Sequence, residues 1–269
     1  MTPTPGQSIA LPTLPNLRDL GGWPTTDGSQ VRSGVLYRST DLSRLDDADR
    51  QTLTDLGLRT IYDLRTLAER TGAPDIAIDG ATEVAVDVLA DATTSIPANL
   101  GTVLADPAVV AQATDALGDG KAAELIAGTY REIVTLPSAL AAYRRFFEGL
   151  AGGDPGPVLF HCTTGKDRTG WAAAVLLSLL GVREDDVYQD YLLTNEQLIP
   201  ALTPLFDDFA AAGGDPDLLR PVLGVDRSYL DAAFDEMRSV YGDVDGYVTD
   251  GLGLDTDLRK RLRDLYLHA

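Results

Sequence analysis

Apolar residues along the chain recur with two periods, and the order in which those periods alternate sets the fold class. Val31 to Ser39 (VRSGVLYRS) places β-branched and aromatic residues in near-alternation, which predicts a strand. Thr25-Thr26-Asp27-Gly28 before it reads as a hairpin turn. A short helix is expected over Asp46–Leu56, with Leu45, Leu53 and Leu56 on one face and Gly57 as its stop. Leu58 to Leu64 and Glu83 to Leu89 then read as buried strands. Helices follow over Ala122–Thr135 and Ser138–Leu150. Pro157 to His161 is a continuous apolar strand of the kind buried in a parallel sheet, and it leads to an almost wholly apolar helix over Gly170–Leu180 that ends at Gly181. Beyond Asp186 the pattern is helical, interrupted at Pro200, Gly213-Gly214, Pro221 and Gly242. Strands alternating with helices predict an α/β domain: a mostly parallel central sheet flanked by helices, with a helical C-terminal part.

Residues 1–15 are rich in Pro and Thr and predict an extended arm. The stretch 90–128 is acidic, rich in Ala and Thr, and broken by Pro97, Gly101, Pro107, Gly118 and Gly120, so a mobile insertion is expected there. The insertion, with short helices of its own, is not read as a separate domain, and the whole of 1–269 is taken as a single one.

Composition narrows the function classes. The net charge of −19 argues against sequence-independent binding to nucleic acid or to anionic membranes, both of which need a basic surface. The longest nearly apolar run, Ala172 to Leu180 with Ser178 inside it, is about half of the ~20 residues that a membrane helix needs, so no stable membrane insertion is expected. The first residues show neither a basic stretch nor an apolar one, so the expected location is the cytoplasm; export by a route without a signal peptide stays open. The charge is unevenly spread: residues 1–70 carry a net −1 with eight arginines, 71–130 carry −8 and 131–269 carry −10. Cys162 has no second cysteine to pair with, and His161 and His268 are too far apart in sequence for a Cys/His zinc cluster.

Chemistry concentrates in Val158 to Gly170, VLFHCTTGKDRTG, which passes from a buried strand through a turn into a buried helix. Five residues separate Cys162 from Arg168. At that spacing the N–H groups of Thr163, Thr164, Gly165, Lys166, Asp167 and Arg168 can converge on one point at a helix N-terminus, which suits an anion. Arg168 would grip phosphate oxygens bidentately, with Cys162 beneath the phosphorus. The helix N-terminus also favours the thiolate.

This Cys-x5-Arg segment, preceded by His and followed by Thr, resembles the signature loop of the cysteine-dependent phosphatases. The fuller HCTTGKDRTG is similar to the loop of bacterial tyrosine and lipid phosphatases of the mycobacterial protein tyrosine phosphatase B type. Asn16 to Gly22 (NLRDLGG), Leu36 to Leu45 (LYRSTDLSRL) and Ile61 to Arg65 (IYDLR) agree with that group. The resemblance covers about 14–70 and 155–195, with a weaker match in the C-terminal third. It implies a tyrosine-phosphatase-like fold and phosphomonoester hydrolysis, with Cys162 as nucleophile, a cysteinyl-phosphate intermediate and no metal or other cofactor. It further implies that Arg168 holds the phosphoryl oxygens and that Thr169 bonds the thiolate. His161 would orient the loop and favour the thiolate. Helices within 196–241 would form a lid.

Asp167 is the general acid that the resemblance points to; a carboxyl beside an incoming dianion is kept protonated by like-charge repulsion, as an acid requires. Asp87 and Asp91 are alternatives, and Asp27 after Trp23-Pro24 a weaker one. Lys166 adds a second cation, as in lipid phosphatases of the phosphatase-and-tensin type, so phosphoinositides join phosphotyrosine proteins, and phosphoserine or phosphothreonine, as expected substrates; its plain reading is a solvated lysine balancing Asp167. Arg18, Asp19, Arg38, Arg65 and Asp63 read as a structural ion-pair network. Leu198, Ile199, Leu202, Leu205, Phe206 and Phe209 form a stripe at helical spacing that suits either core packing or the lid. Two rival functions are a phosphoinositide-selective phosphatase and a phosphate-binding module without turnover.

Overall fold

The computed structural model describes residues 4–92, 117–152 and 156–268. Five strands form the main sheet: β1 (Arg18–Asp19), β3 (Leu36–Ser39), β4 (Thr60–Asp63), β5 (Thr82–Ala85) and β6 (Val158–His161). Their spatial order is β1-β3-β6-β4-β5, all parallel except β1, which runs against β3. The mostly parallel sheet flanked by helices is the architecture expected from the alternating pattern. A second, two-stranded ribbon pairs β2 (Gln30–Val31) with β7 (Leu267–His268).

Side-chain alternation buries both faces of the three central strands, β3, β4 and β6. Leu36, Tyr62 and Phe160 point into the larger core with α4 (Pro137–Gly152) and α5 (Arg168–Leu180). Tyr37, Ile61 and Leu159 point the other way, onto Leu45 and Leu53 beside α1 (Asp47–Asp55) and Leu14 and Leu17 of the N-terminal segment. Since every residue of α5 except Ser178 is buried, its almost wholly apolar sequence from Gly170 on is what a central helix requires. Also present are α2 (Leu67–Gly72), α3 (Lys121–Thr135), α6 (Glu184–Leu198), α7 (Thr203–Ala211), α8 (Arg227–Tyr241) and α9 (Leu258–Tyr266). The apolar stripe of α7 and the turn before it packs with Leu219 and Leu223 into a small cluster of its own.

Two sequence expectations are corrected. Val31 to Ser39 is not one strand: a turn at Ser33-Gly34, with Gly34 at φ +81°, separates β2 from β3 and sends them to different sheets. The buried strand expected over Glu83–Leu89 is instead the short edge strand Thr82–Ala85, whose residues are exposed or half-buried. The acidic stretch 90–128 lies largely outside the described residues; its last part enters α3.

Central strand β6 has β3 on one side and β4 on the other, so connections leave it in opposite directions. Ser39, His161 and Asp63 lie in one row at the carboxyl ends of these three strands. Such a switch point opens a crevice above the strand ends, where ligands of open α/β sheets bind.

Candidate active site

The segment after β6 turns through Cys162 to Asp167 at this crevice and enters α5 at Arg168. Cys162 is buried, 1% exposed. The turn depends on Gly165, whose φ of +65° lies in the left-handed region and whose Cβ, if it had one, would stand 2.1 Å from the Ser39 carbonyl oxygen. That close approach fixes the loop against the end of β3.

A buried ionic network fastens the loop from behind. Arg38 Nη2 donates to the Gly165 carbonyl at 2.7 Å, and its Nη1 meets Asp190 Oδ2 at 2.7 Å. Arg18 Nε donates to Asp190 Oδ1 at 3.0 Å and its Nη1 to Asn16 Oδ1. Asn16 Nδ2 in turn donates to the carbonyls of Thr164 and Gly165, each at 3.2 Å. Arg18 and Arg38 face each other across the β1–β3 pair, a like-charge juxtaposition that Asp190 from α6 neutralises. Burial, then the neighbouring Arg18, lowers the Arg38 pKa to about 10 in spite of Asp190. For Asp190 burial works the other way, but Arg18 and Arg38 prevail and keep its carboxyl below the usual range. Asp19 does not join this network: it accepts from the N–H groups of Gly21 and Gly34 at 2.8 and 2.6 Å and so stabilises turns instead.

Arg168 is held from the front by Glu69 of α2. Nη1 and Nη2 donate to Oε2 and Oε1 at 2.7 Å each, and Thr163 Oγ1 donates to Oε1 at 2.5 Å. The same carboxylate accepts the Thr66 N–H at 2.8 Å, while Thr66 Oγ1 accepts from the Glu69 N–H, closing a capping box on α2. Burial opposes the Glu69 charge, yet Arg168, Thr163 and Thr66 hold its carboxyl far below the usual range. Burial likewise opposes the Arg168 charge; Glu69 and then the nearby Cys162 more than offset it and raise the pKa. The second hydrogen on Nη1 goes to Leu64 O and the second on Nη2 to Thr163 Oγ1, both at 3.4 Å. Nε–H and the weakly held Nη2–H therefore form the edge that an anion could take. Neither Glu69 nor Asp190 was among the sequence candidates. The Thr66-x-x-Glu69 spacing directly after IYDLR is the signal that marks α2 and its clamp; Asp190 stands in an ordinary helical stretch and carries no such mark.

Behind Cys162, His161 is fully buried. Its Nδ1 is 3.2 Å from the Cys162 carbonyl oxygen and its Nε2 is 3.2 Å from Asp75 Oδ2. Arg65 binds Asp63 and Asp75 through Nη2 at 2.8 and 2.7 Å. Asp63, Asp75 and His161 are close enough together to surround a cation, but the Arg65 guanidinium already lies against both carboxylates. Thr169 Oγ1 is buried with no hydrogen-bond partner among the described residues.

Lys166 is buried, and its Nζ donates to Asp167 Oδ1 at 2.8 Å. The pairing of Lys166 with Asp167 is thus present, but the lysine is buried and not solvated as its plain reading had it. Tyr130 of α3 and Tyr191 of α6 share a 2.6 Å hydrogen bond between hydroxyls near Asp167. Burial first, then that carboxylate, pushes both well above the usual tyrosine range. The other acid candidates are tied elsewhere. Asp87 accepts from the N–H groups of Leu67 and Leu89 at 3.0 and 3.1 Å. Asp91 accepts from the Ser138 N–H at 3.0 Å and from its hydroxyl, which lowers its pKa. Asp27 belongs to the Thr25–Gly28 turn, where chiefly Thr25 lowers its pKa to about 2. That turn bonds to Gly181, past the C-terminus of α5, about 20 Å along the helix from Arg168.

The tyrosine phosphatase family's sequence model matches residues 9–268. A Cupriavidus necator protein named as a tyrosine-protein phosphatase is 33% identical over 271 residues, covering 96% of this chain and 88% of that protein. The triple specificity protein phosphatase PtpB of Mycobacterium tuberculosis is 31% identical over 285 residues, covering 96% and 98%. A tyrosine-protein phosphatase of Nostoc commune is 29% identical over 233 residues, covering 84% and 72%.

Proposed function

The chain belongs to the tyrosine phosphatase family, and on that premise we propose that it hydrolyses phosphomonoesters through a phosphocysteine formed at Cys162. One observation carries this reading: the loop between Cys162 and Arg168 is fastened by Gly165, Asn16 and Arg38, while among the described residues the Nε–Nη2 edge of Arg168 is engaged only by the long 3.4 Å bond to Thr163. In the first step Sγ attacks phosphorus as the ester oxygen leaves with a proton from Asp167. In the second, water attacks the phosphocysteine, the Asp167 carboxylate takes its proton, and the Cys162 thiolate departs with phosphate as product. Arg168 and the loop amides stabilise the equatorial oxygens in both steps. Thr169 Oγ1, buried and without a hydrogen-bond partner among the described residues, supports a role as donor to the departing thiolate.

Phosphotyrosine proteins are the first substrate class, with phosphoserine or phosphothreonine proteins and phosphoinositides after them. Lys166 favours keeping the lipids in view, because a second buried cation beside Arg168 suits a head group carrying more than one phosphate. Among the described residues no helix is long and apolar enough to cross a membrane, so a lipid substrate would be met at a membrane surface. A panel of phosphotyrosine, phosphoserine and phosphothreonine peptides against soluble phosphoinositides tests the order, with p-nitrophenyl phosphate as the common reference. Turnover should vanish in Cys162→Ser. Binding of phosphorylated ligands without any hydrolysis by the intact chain would support the non-catalytic alternative.

A further inference from the structure

We propose that Asp75 is a positioning residue for this reaction: it holds His161 as the doubly protonated imidazolium behind Cys162. The inference rests on Cys162 being the nucleophile.

The argument is one of donors and acceptors. Nδ1 of His161 lies 3.2 Å from the carbonyl oxygen of Cys162. A carbonyl only accepts, so Nδ1 carries a hydrogen. Nε2 lies 3.2 Å from Asp75 Oδ2. The two atoms stand at ion-pair distance without forming a hydrogen bond. An unprotonated, electron-rich Nε2 held 3.2 Å from a buried carboxylate oxygen would have no positive charge to offset the repulsion, so Nε2 carries a hydrogen too. With a hydrogen on both nitrogens the ring is charged.

The charges around the ring agree. Those facing it are Asp63 at the end of β4, Arg65 just after it and Asp75 in the segment after α2; Asp41, after β3, stands 3.8 Å from Arg65 at the margin of the cluster. The side chains of Asp63, Asp75 and Arg65 are 8%, 5% and 1% exposed. Two buried carboxylates against one guanidinium leave a net negative charge in a dry site unless His161 supplies the second cation. Burial opposes charge on the ring, but Asp75, then Asp63, outweigh it and raise the His161 pKa.

Asp75 is better placed for this than Asp63. Asp63 stands 4.0 Å from Nδ1 and its oxygens are taken by the Arg65 N–H, Nε and Nη2. Asp75 is anchored by the Leu42 N–H at 2.7 Å on Oδ1, which leaves Oδ2 between Arg65 and the imidazole. The resulting cation sits one residue from the nucleophile and grips its peptide carbonyl. It favours the thiolate and fixes the first peptide of the loop.

The chain has two histidines, so nitrogen-edited NMR of the imidazoles gives a spectrum that His268→Gln assigns. In the wild type, His161 should remain doubly protonated well above the ordinary value of ~6.5. In Asp75→Asn, which preserves the anchoring bond from Leu42, it should be neutral at pH 7. At pH 6 the alkylation of Cys162 by iodoacetamide should slow by roughly fivefold or more in that variant, and kcat should fall further than KM rises. Asp75→Glu should restore part of both. A neutral His161 at pH 7 in the wild type overturns the proposal even if Asp75→Asn fails to fold. So does an unchanged titration or alkylation rate in a folded Asp75→Asn. Loss of the catalytic reading would look different: turnover surviving in Cys162→Ser.

Discussion

Arg168 and Glu69 hold one another in a two-pronged pair, with each terminal guanidinium nitrogen 2.7 Å from one carboxylate oxygen. Glu69 therefore spends no charge on substrate; it fixes the plane of the group that does. Glu69→Gln keeps the side chain's shape but replaces one acceptor oxygen with a donor that confronts Arg168 or Thr163. Paired charge-assisted bonds of this kind are worth several kcal/mol only as a unit, so kcat/KM for p-nitrophenyl phosphate should fall roughly 10- to 100-fold. Vanadate binding should weaken in step, since the misplaced guanidinium serves ground state and transition state alike. Unchanged kinetics would mean that the loop alone positions Arg168.

Asp190 neutralises two fully buried arginines, and removing its charge leaves both uncompensated. Asp190→Asn should cost about 3–5 kcal/mol of unfolding free energy, measured by urea denaturation at pH 7. The pH dependence follows from the same pair. Because the folded carboxyl sits below its ordinary value, its stabilisation is present above ~3.9 and is lost as pH falls through the folded value. The gap between wild type and Asp190→Asn should therefore narrow on acidification below about pH 4. A gap that stays constant would mean that shape, not charge, is what Asn fails to replace.

Asp167, Asp87 and Asp91 make distinct predictions for the acid limb. Asp167 shares the loop with Cys162 and touches Lys166, whereas Asp87 and Asp91 are spent on backbone and serine donors around α2 and α4. Asp167→Asn should flatten one limb of the pH–rate profile and lower kcat about 10²–10⁴-fold for alkyl phosphates, whose leaving groups need a proton. It should affect p-nitrophenyl phosphate far less. If Asp87→Asn or Asp91→Asn has that signature and Asp167→Asn does not, the assignment moves to them.

How much of this was legible beforehand depends on the range of the interactions involved. Apolar runs such as Val158–Phe160 and Ala172–Leu180, the second broken only by Ser178, announced a buried strand and a buried helix, because burial on all sides leaves a one-dimensional trace. The Cys162–Arg168 spacing was legible for the same reason: the loop is local in sequence. Asp190 and Asp75 were not, since each acts on residues brought to it by the fold: Asp190 stands 152 positions from Arg38, and Asp75, in the segment after α2, meets a histidine at the end of β6. Glu69 lies between these cases. Its local capping box was there to be read, but its reach to Arg168, 99 positions away, was not. The break at Ser33-Gly34 was masked by the alternation on either side of it.

The central claim is a covalent phosphoryl group on Cys162. Acid quenching within milliseconds of mixing with p-nitrophenyl phosphate, followed by digestion and mass spectrometry, should find that group on the peptide that contains Cys162. It should be absent from Cys162→Ser, which should also release no nitrophenol. Full turnover with no phosphorylated cysteine at any quench time, or turnover persisting in Cys162→Ser, would contradict the account.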